Sequence, residues 1–505
     1  MKKKKNKKLL GPVITIIIFI ILIMVLSFVF NALKIGGQET YIKDGTLETK
    51  FISVNNLISG PGIKFMLSNA IINFQKLEPV ILLIILLIGI GICEKSGLFK
   101  IVFSNLKRLK TSVLLFLTIF IGIISTVIGE NSYILLIPLV GIIYKYANRN
   151  AMLGIITVFI SIGLGYGLGI IYNYDEFLLG NLTQAAASLE VDKNYKYNLL
   201  SNIYILLVGT GIFSFISTFV VKNFLSTKFD EVKQYEKEET NDSKKALLIT
   251  NLCCLVMVLA VVYMIIPGLP NSGLLLDKNA TNYISSLFSS NSPFSRSLIF
   301  IVSVIMMVCG LIYGRLSGNI KDTNEFSIGL GYSFENLGYV FVLLFFFSQM
   351  IAILDWSNIG MVISAILVEM ISSVQLSGIL LIIIFFIAVI LVGILIPSSV
   401  TKWSIMSPVI VPLFMRANIT PDFTQFVFRI ADGIGKTITP TYIYFFIMMA
   451  FMQKYNKDNE QNLTVFGTIK LMHPTVLILS GVLLLFVVIW YILGLPMGIK
   501  MSPTL

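Results

Sequence analysis

Runs of about twenty apolar residues recur from one end of the chain to the other, and a run of that length crosses a ~30 Å hydrocarbon core as a single helix. Clear examples are residues 9–30, 203–221, 246–266, 297–313, 339–354 and 475–493. Of the 505 residues, 56% are hydrophobic and 13% charged, which excludes an ordinary soluble globular domain. Inside a bilayer every backbone polar group must be satisfied within the protein, so the pattern predicts an all-α integral membrane protein. The net charge of +12 does not point to nucleic acid, because the basic residues cluster at the ends of apolar segments. Lysines 2–5, 7 and 8 precede the first run and place the N-terminus in the cytoplasm by the positive-inside rule. That run is longer than the ~7–15-residue core of a signal peptide, and no clean small-x-small site follows it. The expected location is the inner cell membrane, crossed many times. Cys93, Cys253, Cys254 and Cys309 have neither metal nor disulfide spacing, and the lone His473 reads as an interfacial residue.

Polar residues interrupt this pattern at defined places. The stretch 421–440 carries Arg429, Asp432 and Lys436 directly into the apolar run 442–452, which sets charges at membrane depth. A charge there costs at least ~2.5–3.5 kcal/mol on insertion scales, so these groups must pair, face a wet cavity or bind a solute. The segment 111–146 lies between basic flanks and is too short for two crossings of about twenty residues each plus a turn. It reads as a re-entrant hairpin with its tip at Gly129-Glu130-Asn131-Ser132. The segment 377–415 repeats the arrangement around Pro397-Ser398-Ser399-Val400-Thr401. After each tip comes a similar phrase, Leu136-Ile137-Pro138-Leu139 and Ile410-Val411-Pro412-Leu413, then a polar or glycine-interrupted span. In the first half this span holds Gly163, Gly165, Gly167 and Gly169, which allow close packing or a backbone break.

Nine spans are predicted, near 9–32, 79–94, 151–175, 197–221, 246–266, 297–314, 329–354, 423–452 and 474–494, with hairpins at 111–146 and 377–415. Counted from a cytoplasmic start, the two halves are inverted, the repeat pattern of secondary transporters. The loop near 222–245 then falls inside, and 33–78 and 267–296 fall outside. Amphipathic stretches at 65–74 and 358–374 are expected to lie beside the bundle. The whole chain is read as one polytopic transporter domain.

A set of motifs runs in order along the chain: Gly62-Ile63-Lys64-Phe65-Met66-Leu67-Ser68-Asn69-Ala70, Glu94-Lys95-Ser96-Gly97-Leu98 and Asp355-Trp356-Ser357-Asn358. It continues through Lys402-Trp403, Ser407-Pro408, Pro412, Pro421, Arg429-Ile430-Ala431-Asp432 and Ile438-Thr439-Pro440 to Phe451-Met452-Gln453-Lys454-Tyr455. This ordered set resembles the AbgT family of p-aminobenzoyl-glutamate transporters and antimetabolite exporters. The resemblance implies a bowl-shaped homodimer whose subunits have nine spans and two re-entrant hairpins. It also implies functional roles for Asp175, Trp403, Pro421, Arg429, Asp432 and Pro440. The chain departs from the family pattern at Val400, where the family has serine, leaving Ser399 or Thr401 to supply a hydroxyl. It departs again at Glu130-Asn131, where members tend to carry Ser-Asp.

Arg429 has a planar fork suited to a solute carboxylate, or it pairs with Asp432 three residues on. Such a pair would hold Asp432 ionised and leave Asp175 as the proton carrier or Na⁺ contact. The other reading of Asp175 is an interfacial residue followed by Glu176. Trp403 either stacks on an aromatic solute or packs. Glu130 and Asn131 present oxygens at the first tip, and a Na⁺ site is expected near Asn131 and Asp175. No nucleophile–base pair, metal cluster or nucleotide motif is present in the pattern, so no enzyme and no cofactor are expected beyond a coupling H⁺ or Na⁺. The expected function is ion-coupled transport of p-aminobenzoyl-glutamate or a related anionic aromatic amide. The alternatives are sulfonamide or drug export by proton exchange, carboxylate or peptide transport and, from another class, a passive channel.

Overall fold

The computed structural model describes residues 10–505 except 44, 191, 231–239, 281, 290, 336, 375 and 457–462. The N-terminal lysines 2–5, 7 and 8 and residues 231–239 of the loop near 222–245 therefore lie outside the described residues. Among the described residues, eight helices are long and apolar enough to cross a membrane. A ninth arises if Glu78–Lys95 and Leu98–Arg108, bent by 76°, count as one span. The expected number is matched by a different set. Residues 151–175 and 423–452 are not single helices, whereas the arms Thr111–Ile128 and Gly378–Leu395 are long enough to span.

The interruptions have local causes. The helix Ala151–Leu164 stops at Gly165, and a new helix, Tyr174–Glu190, follows the glycine-rich link. Gly169 in that link has φ +145°, a conformation that disfavours a side chain. The helix Pro421–Ile438 stops before Thr439-Pro440 and resumes as Ile443–Tyr455. Pro440 has no N–H to continue the helix, and its ring opposes the carbonyl four residues back. These two broken helices occupy matching places in the two halves. Each is preceded by a helix pair with an irregular tip. The first pair is Thr111–Ser125 and Asn131–Tyr146, and the second is Gly378–Leu395 and Ser399–Arg416.

The helix pairs and broken helices pack on one another across the halves, and the longer apolar helices surround them. Every residue from Pro421 to Thr437 is buried, so this segment is the axis of the core. By contrast, Lys244–Ile265 buries only Ala246 and Thr250, leaving an apolar surface suited to lipid. Glycines set the closest approach between the broken helices. A Cβ added to Gly433 would lie 2.2 Å from the Gly163 carbonyl oxygen.

Two local expectations change. The segment 33–78 contains an antiparallel hairpin, Gly36–Lys43 paired with Thr46–Ser53. The Asp44-Gly45 sequence between these strands is a recognised two-residue hairpin signal. The stretch 358–374 is not a peripheral helix. Ile359–Ser373 buries Ile359, Val362, Ala365 and Val368 between the β-hairpin and the second helix pair.

Gly433→Ala is expected to destabilise the detergent-solubilised protein by ~1–3 kcal/mol, because backbone rather than a movable side chain opposes the new methyl. Gly481→Ala, with nothing within 4 Å of the added carbon, is expected to leave the thermal midpoint unchanged or slightly raised. Equal midpoints for the two variants would contradict the close approach.

Candidate functional site

Asp422, Gln425, Arg429, Asp432 and Lys436 recur at intervals of three and four residues, which puts them on one face of the helix Pro421–Ile438. A polar stripe on a wholly buried helix must find its partners inside the protein. Those partners come from both halves.

Arg429 donates from Nη1 to Glu176 Oε2 at 2.7 Å, and from Nη2 to the Tyr166 carbonyl. It does not pair with Asp432, which sets aside the same-helix pair, one of the two readings of Arg429 from sequence. The guanidinium reaches across to the first broken helix, where Glu176 also accepts from Tyr197 and Asn202, each at 3.1 Å. Asp432 instead forms an ion pair with fully buried Lys402 of the second helix pair. It also accepts from Ser399 Oγ at 2.5 Å and lies 3.7 Å from Lys436 Nζ. Lys436 is in turn 2.8 Å from Glu130 at the tip of the first helix pair. Asp175 accepts from the Tyr166 hydroxyl, and the ring of Tyr166 lies 4.5 Å from Lys436 Nζ. Glu130, Tyr166, Glu176, Lys402 and Lys436 thus join Arg429, Asp432, Asp175 and Ser399 in one connected cluster.

A cavity of about 980 Å³ opens beside this cluster, a volume near the upper end for small-molecule sites. All four chain interruptions reach it. The first tip supplies Glu130 and Asn131, and the second supplies Pro397, Ser398, Ser399 and Val400. The broken helices supply Tyr174 and Asp175 from one half and Thr441, Tyr442 and Tyr444 from the other. The tip glycine Gly129 lies close to Asp175, since a Cβ built on it would be 4.0 Å from Oδ1. Asn131 and Asp175, the expected Na⁺ contacts, therefore share a wall. Asp175 is 8% exposed, which sets aside the interfacial reading.

Other expected site residues lie elsewhere. Trp403 is fully buried, donates to Thr183 Oγ1 at 2.8 Å and packs on Phe428 with ring centroids 4.5 Å apart. It is absent from the cavity wall, so its packing role is the one seen. Arg429 is also absent from that wall. Thr401 faces away and bonds to Ser398, whereas Ser399 supplies the hydroxyl. Pro421 begins its helix and Pro440 lies in the link that ends it, so both shape the backbone. Sequence reasoning missed Tyr166 and Glu176 in the cluster, and Glu78 and Arg296 on the cavity wall. The three–four spacing of the polar stripe was the available signal that more buried partners were required.

A sequence model described as "AbgT putative transporter family" matches residues 3–505. The chain belongs to this family. It is 24% identical over 506 residues to the p-aminobenzoyl-glutamate transport protein of Escherichia coli K12, covering 99% of this chain and 96% of that protein. Solved structures of Alcanivorax borkumensis YdaH and Neisseria gonorrhoeae MtrF are each 24% identical to it. The YdaH likeness has TM-score 0.49 and covers 97% of this chain and 100% of that one. The MtrF likeness has TM-score 0.48 and covers 98% and 97%. MtrF is described as illuminating a class of antimetabolite efflux pumps. Membership of the AbgT family and the apolar helices make this a multi-pass membrane protein of a transporter family. The named relatives are transporters, in line with a non-enzymatic chain.

Glu176→Ala and Arg429→Ala should each destabilise the protein by ~3–5 kcal/mol, because each strands a buried opposite charge. The double variant should be less destabilised than the two effects added together. Thermal unfolding of the four proteins in one detergent checks this, and strict additivity would rule out the coupling.

Proposed function

We propose that this protein is an ion-coupled secondary transporter of p-aminobenzoyl-glutamate or a closely related anionic aromatic amide. The carrying observation is that both helix-pair tips and both helix breaks meet at one cavity beside a buried charge cluster. Interrupted helices at matching positions in two halves suit a midplane binding site reached alternately from each side. Tyr442 and Tyr444 at the second break give the cavity an aromatic stretch of wall suited to an aminobenzoyl ring. Helix ends and the Asn131 and Asp175 side chains offer oxygens to a coupling cation or, at Asp175, a proton acceptor. The relative's name supports the solute class.

Asp175 is the proposed coupling residue because it lines the cavity and, among the described residues, its side chain bonds to a neutral group, the Tyr166 hydroxyl. Asp432, held between two lysines, is assigned to the permanent charge framework. Arg429 joins it there, a change from the solute-binding role expected for both.

In proteoliposomes, labelled p-aminobenzoyl-glutamate should show saturable counterflow, with accumulation driven by an imposed Na⁺ or pH gradient. Asp175→Asn should retain counterflow and lose at least about tenfold of the gradient-driven accumulation, as expected when the proposed coupling carboxylate is neutralised. Linear, gradient-independent flux through the wild type would favour a channel. Undiminished accumulation in Asp175→Asn would remove the coupling assignment.

A further inference from the structure

The buried cations next to the cavity are already engaged. Arg429 holds Glu176, Lys402 holds Asp432, and Lys436 lies between Glu130 and Asp432. A solute carboxylate can displace Glu176 from Arg429, or Asp432 from Lys402 or Lys436, only by stranding that acid in a buried site, an unfavourable exchange.

Arg296 differs from all three. It lines the same cavity and is solvent-exposed, and among the described residues its side chain forms no ion pair or hydrogen bond. Of the charged residues on the wall, Glu78, Glu130 and Asp175 are acidic and Arg296 is the basic one. Its place in the fold is also telling. It lies in the first turn of the 25-residue helix Pro293–Ser317, which has no acidic residue in that turn. A cation there opposes the positive end of the helix dipole, so helix stability does not explain an arginine at this point. An anion there is favoured twice, by the guanidinium and by the amide end of the helix. The guanidinium fork also matches a carboxylate in geometry. Asn291 and Ser295, beside it on the wall, add polar groups near the entrance.

We propose that Arg296 is the specificity-determining residue that receives the carboxylate of the solute at the cavity mouth, leaving the aromatic end to face Tyr442 and Tyr444. This rests on the solute class proposed above and names the group that selects its charge. It moves anion recognition from the buried stripe to the surrounding wall. The solute then enters without breaking the ion pairs that hold the core together.

The test is competition binding to the full-length protein in nanodiscs. Labelled p-aminobenzoyl-glutamate is displaced by the unlabelled diacid or by its uncharged diamide. Wild type should prefer the diacid. Arg296→Ala should weaken diacid binding by about tenfold, the loss expected for one charge-assisted contact, and leave diamide binding unchanged. Arg296→Lys should recover part of the loss, and Arg296→Glu should invert the preference. Wild-type preference retained in Arg296→Ala would overturn the proposal, as would equal wild-type affinity for diacid and diamide. Both of those outcomes leave solute binding by the wild type intact. Failure of the wild type to bind either compound would instead sink the solute class, and this assignment with it.

Discussion

The structure depends on the pairing of buried cations around the helix Pro421–Ile438. Arg429 is matched by Glu176, and Lys402, Asp432, Lys436 and Glu130 form an alternating series of opposite signs. Isolated charges at this depth would be prohibitively unfavourable, whereas paired and hydrogen-bonded ones are tolerated. The pairing is also directional. It obliges the tips of both helix pairs and the second part of the first broken helix to approach one buried axis. Charge therefore decides the arrangement of segments whose apolar surfaces alone would pack in many ways.

Backbone breaks make that arrangement possible. A continuous helix would carry Glu176 well past Arg429. The glycine link after Leu164 turns the chain so that Tyr166 and Glu176 both reach the guanidinium. The small residues Gly163 and Gly433 let the two broken helices approach until backbone meets backbone. Free helix ends then collect around the cavity, where polar backbone is tolerated because it lines space open to water. Within the core, apolar packing such as Trp403 on Phe428 is joined by the ion pairs Arg429–Glu176, Lys402–Asp432 and Lys436–Glu130. Against the surrounding helices contacts are more often apolar, as in Phe347 on Phe446 at 5.2 Å, although Lys145–Glu94 at 2.9 Å is an exception.

Much of the site was legible because its signals are local. A charge in an apolar run, a glycine series or a Thr-Pro break departs from its neighbours, and so the tips, both broken helices, Asp175, Ser399 and Asp432 were found. Partnership was less legible. Arg429 and Asp432 are three residues apart, so a same-helix pair stood beside solute binding as a reading, yet Glu176 holds the arginine from 253 residues away. Trp403 looked like a solute platform because it flanks a polar turn, but Phe428 and Thr183 enclose it. Arg296 was unreadable, because an arginine near the end of an apolar run is ordinary until a cavity is known to open beside it.

By itself, the sequence determined the solvent, the helical class, the places where helices stop and the presence of charges that need compensation. Each follows from residue chemistry over a few turns of chain, because hydrocarbon leaves so few options for a polar group. Only the tertiary structure decided which acid answers which base, which hydroxyl turns inward and which charged residues face the cavity. Those outcomes depend on distances between segments hundreds of residues apart, and a side chain carries no local mark of the partner that folding brings to it.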